Sequence, residues 1–219
     1  APLRSPRSKA PAHGELRRVT IAGGGLDLVA IPAEAEGNQL ARWLAMLPPN
    51  ELDAAGYRRV LRELAAREGW SFRFYDERRL RRLGAGAFLA VSRGNDHRAS
   101  GIVRLRYRPR GRVQRRIGLV GKGICFDTGG VNLKTHRSMY LMHGDMQGSA
   151  VAVGTLLALA RRRVPVEVDC WLAITENQIG PRAYRPQDVV RAANGVTIQV
   201  VHSDAEGRMV LADTLALAA

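Results

Sequence analysis

The chain has 219 residues, 46% of them hydrophobic, and a formal charge of +14, enough to bury a core in one domain or one with an appendage. Its apolar runs are broken by Arg or Gly well short of the ~18 residues of a membrane span, and its start, APLRSPRSKAPAHG, has no signal-peptide core; no membrane partner is expected, and a cytoplasmic location is. Residues 1–116 carry 24 Lys and Arg against 11 Asp and Glu, and residues 117–219 carry 10 against 9; the basic excess lacks interleaved aromatics, which reads as a solvated arginine-rich surface rather than a nucleic-acid face.

Residues 1–18, rich in Pro, Ser and Arg, read as a linker. Val19–Ile21 and Leu26–Ile31 flank Gly23, Gly24 and Gly25 and suit two short strands around a glycine turn. Leu28 occupies the third glycine position of GxGxxG, so no dinucleotide fingerprint is present. From Asn38 the spacing of Leu40, Trp43, Leu44 and Leu47 predicts a helix stopped by Pro48 and Pro49. A second helix is capped by Asp53, carries Tyr57, Val60, Leu61 and Leu64, and ends at Gly69.

Trp70, Phe72 and Phe74 alternate as a strand, and Asp76 caps an arginine-rich helix to about Leu83. Ala87–Val91 and Ile102–Tyr107 read as strands, the latter with Arg104 and Arg106 facing away from Val103 and Leu105, as at a sheet edge. Ile117–Val120 reads as a buried central strand, Met146–Ala160 as a helix, Val166–Ile174 as a second buried strand, Thr175–Asp188 as a loop, Thr197–Val201 as a strand, and Asp204 onward as a last helix. Strand, helix and strand in this order predict a βαβ unit. The fold class is therefore α/β, a largely parallel or mixed sheet with helices on both faces. Cys125 and Cys170 sit in apolar strand contexts and read as reduced core residues.

Gly121–Lys134, GKGICFDTGGVNLK, is harder to explain as folding alone. Lys122 and Asp127 follow apolar runs, and charges so placed need a partner or a metal. The chain has 31 arginines and three lysines, two of them Lys122 and Lys134. Unlike guanidinium, a lysine amine can lose its proton, so both positions point to a neutral amine or a point donor.

Asp127 and Asp145 belong to the loop after one strand, and Asp204 and Glu206 follow another. Open α/β sheets bind ligands at their strand C-termini. Four carboxylates converging there would repel one another, so two divalent cations are the economical explanation, with zinc, manganese or magnesium suited to the donors. Two cations held there would supply an acidified water and a Lewis acid, with Lys134 a donor for a developing oxyanion. The acids and lysines alone do not distinguish peptide from phosphate-ester hydrolysis. His136 and His143 flank the loop and could touch substrate, though exposed loop histidines are more often inert, and Glu176 and Asp188 in the long loop could be structural caps as easily as site residues.

VGKGICFDTGGVNLK, MHGDMQGSA, TENQIGPRAYRPQDVV and SDAEGRMVLAD, in this order, resemble the leucyl aminopeptidase (cytosol aminopeptidase) family of two-metal peptidases. The close resemblance covers roughly residues 118–213. It implies a zinc-exopeptidase-like catalytic domain over residues 38–219, incomplete at its C-terminal end, after a basic linker and remnant of an N-terminal region at 1–37. It implies a tighter metal site of Lys122, Asp127, Asp145 and Glu206 and a looser one of Asp127, Asp204 and Glu206. Lys134 would meet the substrate carbonyl, and Arg208 would hold a bicarbonate serving as general base. Zinc, with manganese or magnesium at one site, peptides with a free N-terminus and a homohexamer are further implications. His202, Ser203, Gln147 and Ser149 depart from the family pattern without touching a ligand position. The contrasting reading is a noncatalytic basic module on an inactive aminopeptidase scaffold.

Overall fold

The computed structural model describes residues 18, 20, 23–25, 27–97 and 99–219. Residues 1–17 of the expected linker, and Val19, Ile21 and Leu26 of the expected strands, lie outside them. Where the second of those runs is described it is not a strand. Leu28 and Val29 turn into helix α1, Ala30–Met46, and Asp27 Oδ1 accepts from the Val29 and Ala30 amides at 3.0 and 2.8 Å. The helix therefore starts eight residues before Asn38 and runs across position 37. Pro32 falls in the first turn, where amides have no intrahelical acceptor and a proline costs little. Gly37 lies where α1 crosses helix α6, Gln147–Arg161; a Cβ there would stand 2.4 Å from the Gly154 carbonyl oxygen.

Helix α2, Ala54–Glu68, is capped by Asp53, whose Oδ1 accepts from the Gly56 amide at 2.6 Å, and it ends at Gly69 with φ +70°. Strand β1, Ser71–Asp76, leads into α3, Glu77–Arg82, capped by Asp76. The expected strand Ala87–Val91 is instead helix α4, Gly86–Ser92. Its apolar residues are buried apart from half-buried Leu89, so no clear alternation separates strand from helix, and buried Asp213 accepts from the Phe88 amide at 2.7 Å.

Strands β2 (Gly101–Tyr107), β3 (Arg115–Asp127) and β4 (Val166–Asn177) join β1 in one sheet of order β1-β2-β4-β3. Only β3 and β4 run parallel, so the sheet is mixed. Two placements differ from expectation. β2 is interior: Arg104 and Arg106 reach Asp169 on neighbouring β4 at 2.6 and 2.8 Å, so its charged face is neutralised within the sheet. β3 is an edge of the four-stranded sheet among the described residues, and Ile117 is 37% exposed. A small antiparallel pair, β5 (Val189–Arg191) and β6 (Thr197–Gln199), stands where only the second strand was expected.

Alternation along β4 divides the core. Cys170, Leu172 and Ile174 join Tyr57, Leu61 and Leu156 on the α2 and α6 side; Trp171 and Ala173 join Leu80, Phe88 and Val210 on the side of α3, α4 and α7, Glu206–Ala218. Helices thus cover both faces. Both cysteines are buried and free. No described helix is long and apolar enough to cross a membrane. The parallel β3–α6–β4 unit brings the C-terminal ends of β3 and β4 side by side, and the acidic segments gather at that end.

Candidate active site

Lys122 and Asp127 both lie on β3, which continues past the point where a loop was expected. Residues five apart on a regular strand point to opposite faces. Here Ile124 pairs with Thr175 and Asp127 with Asn177, so β3 spends one residue more than β4 over this stretch. Such a bulge re-aims the side chains beyond it. Asp127 thereby turns to the side occupied by Lys122, and both converge on Glu206 in the first turn of α7.

After β3 the chain turns through Gly129 and Gly130 and returns Lys134, whose amide donates to the Thr128 carbonyl at 2.9 Å. Asp145 closes a 3₁₀ turn at Met142–Gly144 just before α6, and Asp204 lies in the Ser203–Ala205 turn before α7. Each lysine is shared by two carboxylates. Lys122 Nζ lies 2.7 Å from Asp145 Oδ2 and 2.7 Å from Glu206 Oε1. Lys134 Nζ lies 3.0 Å from Asp127 Oδ2 and in direct contact with Asp204 Oδ1. Asp127, Asp204 and Glu206 each bring one oxygen to within 4.8 Å of the others; Asp145 joins them through Lys122.

Asp127 and Glu206 are each 2% exposed. Burial pushes the Glu206 carboxyl up to about 7, opposed by the Lys122 hydrogen bond and reinforced by the Asp127 charge. Burial likewise raises Asp145 against its bond to Lys122. Burial would lower Lys122, but its bonds to Asp145 and Glu206 outweigh this and leave it raised. Glu206 Oε2 is buried without a hydrogen-bond partner among the described residues. Buried polar atoms are rarely left so, and a carboxylate oxygen of this kind, beside two other converging carboxylates and an amine, fits a divalent cation.

Arg208 sits two residues beyond Glu206, exposed and without an acidic partner among the described residues. His136 is exposed on α5, His136–Met139, and His143 lies in the 3₁₀ turn; neither bonds the acidic cluster. Glu176 accepts from Gln178 Nε2 and Asp188 from Arg93, partners outside the acidic cluster.

Three supporting residues were not evident in the sequence. Gly207 faces Lys122 so closely that a Cβ would lie 2.9 Å from Nζ. Asn177, 1% exposed, donates from Nδ2 to Asp127 Oδ1 at 2.8 Å and to the Ser203 carbonyl at 3.1 Å. Fully buried Ser203 binds the loop of Lys134: its Oγ donates to the Gly129 carbonyl at 2.6 Å and accepts from the Asn132 amide at 2.8 Å, and its own amide donates to Asn132 Oδ1 at 2.8 Å. TENQIG holds an asparagine at a strand end, but its role depends on a register that spacing does not reveal.

Residues 39–219 match the model of the cytosol aminopeptidase family, catalytic domain. A probable cytosol aminopeptidase of Prochlorococcus marinus is 37% identical over 203 residues, covering 87% of this chain and 41% of the relative. One of Desulfovibrio desulfuricans is 45% identical over 180 residues, covering 82% and 36%. The structure of leucyl aminopeptidase from Trypanosoma brucei in complex with bestatin superposes with a TM-score of 0.81 at 34% identity, over 84% of this chain and 35% of that one. The chain thus spans well under half the length of the relatives it matches. With the family model covering all four acidic residues and both lysines, the chain belongs to the cytosol aminopeptidase family, matching its catalytic domain over residues 39–219.

Proposed function

We propose that this chain carries the catalytic centre of an aminopeptidase that removes N-terminal residues from peptides with the aid of two divalent cations. Lys122, Asp127, Asp145 and Glu206 would hold one cation and Asp127, Asp204 and Glu206 the other. The observation that carries this reading is the gathering of Asp127, Asp204 and buried, half-unpaired Glu206 around one point beside two lysines. Zinc, with manganese or magnesium at one position, suits these donors; bound there, two such ions supply an acidified water and a Lewis acid for the scissile carbonyl.

The chain's own residues do the rest. Lys134 meets Asp127 and Asp204, and a remaining N–H of its ammonium can donate to a carbonyl oxygen as negative charge develops. Arg208, exposed and unpaired among the described residues, is free to hold an anion such as bicarbonate at the rim. Asp127 and Glu206 are the most deeply buried acids of the cluster; the surrounding protein keeps water from them, and the lower local dielectric strengthens charge interactions there. A cytosolic setting accords with the relatives' names and with two unpaired buried cysteines.

The test is hydrolysis of leucyl amide beside its N-acetylated form. Activity on the free amine alone, abolished by a chelator and restored by zinc or manganese, is expected. Cleavage of both, or indifference to the chelator, would overturn the proposal.

A further inference from the structure

Asp127 has two oxygens with different surroundings. Oδ2 faces Lys134 at 3.0 Å, whereas Oδ1 accepts the Gly129 amide at 2.8 Å and Asn177 Nδ2 at 2.8 Å. A carboxylate held at one oxygen by two donors cannot swing, and its other oxygen is then presented in a fixed direction. Gly129 follows Asp127 by two residues and moves with it. Asn177 belongs to the neighbouring strand β4 and is the one of the two donors that holds the carboxylate from another strand.

The second hydrogen of the same amide goes to the Ser203 carbonyl at 3.1 Å, which also accepts from Tyr184 Oη. Asp204 follows immediately, and Glu206 two residues later. A single buried side chain therefore spans the two segments that supply Asp127 on one side and Asp204 and Glu206 on the other. The orientation of the amide is settled by its partners, since both neighbours are acceptors and only the NH₂ end can face them. The cost is visible at the other end: Asn177 Oδ1 is buried with no partner among the described residues. An apolar side chain would leave no such orphan, so the presence of an asparagine points to the work of its two donors.

We propose that Asn177 is the positioning residue of the cation centre, setting the Asp127 carboxylate and the spacing between β3 and the Asp204–Glu206 segment. This rests on the reading of the site as a cation centre. Residues that orient ligands in this way typically change metal affinity by roughly 10- to 100-fold when replaced.

The experiment titrates zinc into the purified, chelator-stripped protein by calorimetry, with thermal denaturation alongside, for wild type, Asn177→Ala and the control Asn95→Ala. Asn95 is a second buried asparagine, bonded to Thr175 and Ser100 rather than to an acid of the cluster. Zinc affinity is expected to fall by roughly 10- to 100-fold in Asn177→Ala and to stay at the wild-type value in Asn95→Ala, even where both lose thermal stability. Asn177→Ser, whose hydroxyl is too short to span both acceptors, carries the same expectation and decides the matter if the alanine variant fails to fold. Wild-type zinc affinity in a folded Asn177 variant overturns the assignment, as does an equal loss in the Asn95 control. A wild-type protein that takes up no zinc overturns the cation centre itself and this assignment with it; two zinc sites untouched by Asn177 replacement overturn only the latter.

Discussion

A Cβ placed on Gly207 would lie 2.9 Å from Nζ and 2.9 Å from Cε of Lys122. The clash is with the far end of a flexible side chain, not with backbone, so the fold can yield by moving the lysine. Alanine is favoured over glycine in a helix by up to about 1 kcal/mol. Gly207→Ala should therefore unfold at the same temperature or slightly higher while displacing Lys122 from Glu206 and Asp145. Weaker zinc binding and lower leucyl-amide turnover at undiminished stability are expected; unchanged turnover would show that Lys122 does not need this space, and a large loss of stability would show that the fold cannot yield by moving the lysine.

Lys122 itself is tested by the mildest-looking replacement. Giving a lone pair to a cation requires loss of a proton, which for an ordinary lysine with a pKa of about 10.4 costs roughly 4 to 5 kcal/mol at pH 7. A nearby divalent charge can supply this, as it does for coordinated thiols. Guanidinium has no lone pair to give. Lys122→Arg should retain the ion pairs to Asp145 and Glu206 but lose one zinc site and most activity. Two undiminished sites would make Lys122 an ion-pair partner only.

Asp127 and Glu206 are the two acids of the cluster buried to 2%, and as shared ligands each would serve both cations. Asp127→Asn and Glu206→Gln keep size and remove charge. Both zinc sites should weaken together, with turnover falling by more than the roughly 100-fold that a supporting residue can account for. Asp145→Asn, whose carboxylate meets Lys122 alone among the described residues, should weaken one site. Loss of a single site in Glu206→Gln would remove it from the shared role.

Arg208 should separate chemistry from structure. It is exposed and lacks an acidic partner among the described residues, and surface replacements of this kind shift stability by no more than about 0.5 kcal/mol. Arg208→Ala should keep both zinc sites and its melting temperature, lose turnover, and recover part of it in concentrated bicarbonate. Unchanged turnover would end its role as anion holder.

What could be read in the sequence was what local chemistry decides. Asp53 and Gly69, and Asp76, mark caps through backbone rules that need no neighbour, and the α2, α3 and α6 boundaries followed closely. Neighbour relations were not legible. Ala87–Val91 is buried except at half-buried Leu89, so it carries no clear period, and the carboxylate that accepts its Phe88 amide, Asp213, lies 125 residues away. Arg104 and Arg106 suggested an edge because their partner Asp169 sits on another strand. In the candidate site the acids and lysines were singled out by residue type. The bulge that turns Asp127, the amide of Asn177 and the space at Gly207 were not, because each is defined by what crosses from another segment.

The most direct measurement is the number of divalent cations the protein holds. Stripped protein titrated with zinc, with elemental analysis of the product after dialysis, should give about two ions per chain of the kind that two-metal hydrolases use, and leucyl-amide hydrolysis should rise as the second is filled. A protein that saturates with one ion or none, or that cleaves leucyl amide fully when stripped, would contradict a two-cation centre built on Lys122, Asp127, Asp145, Asp204 and Glu206.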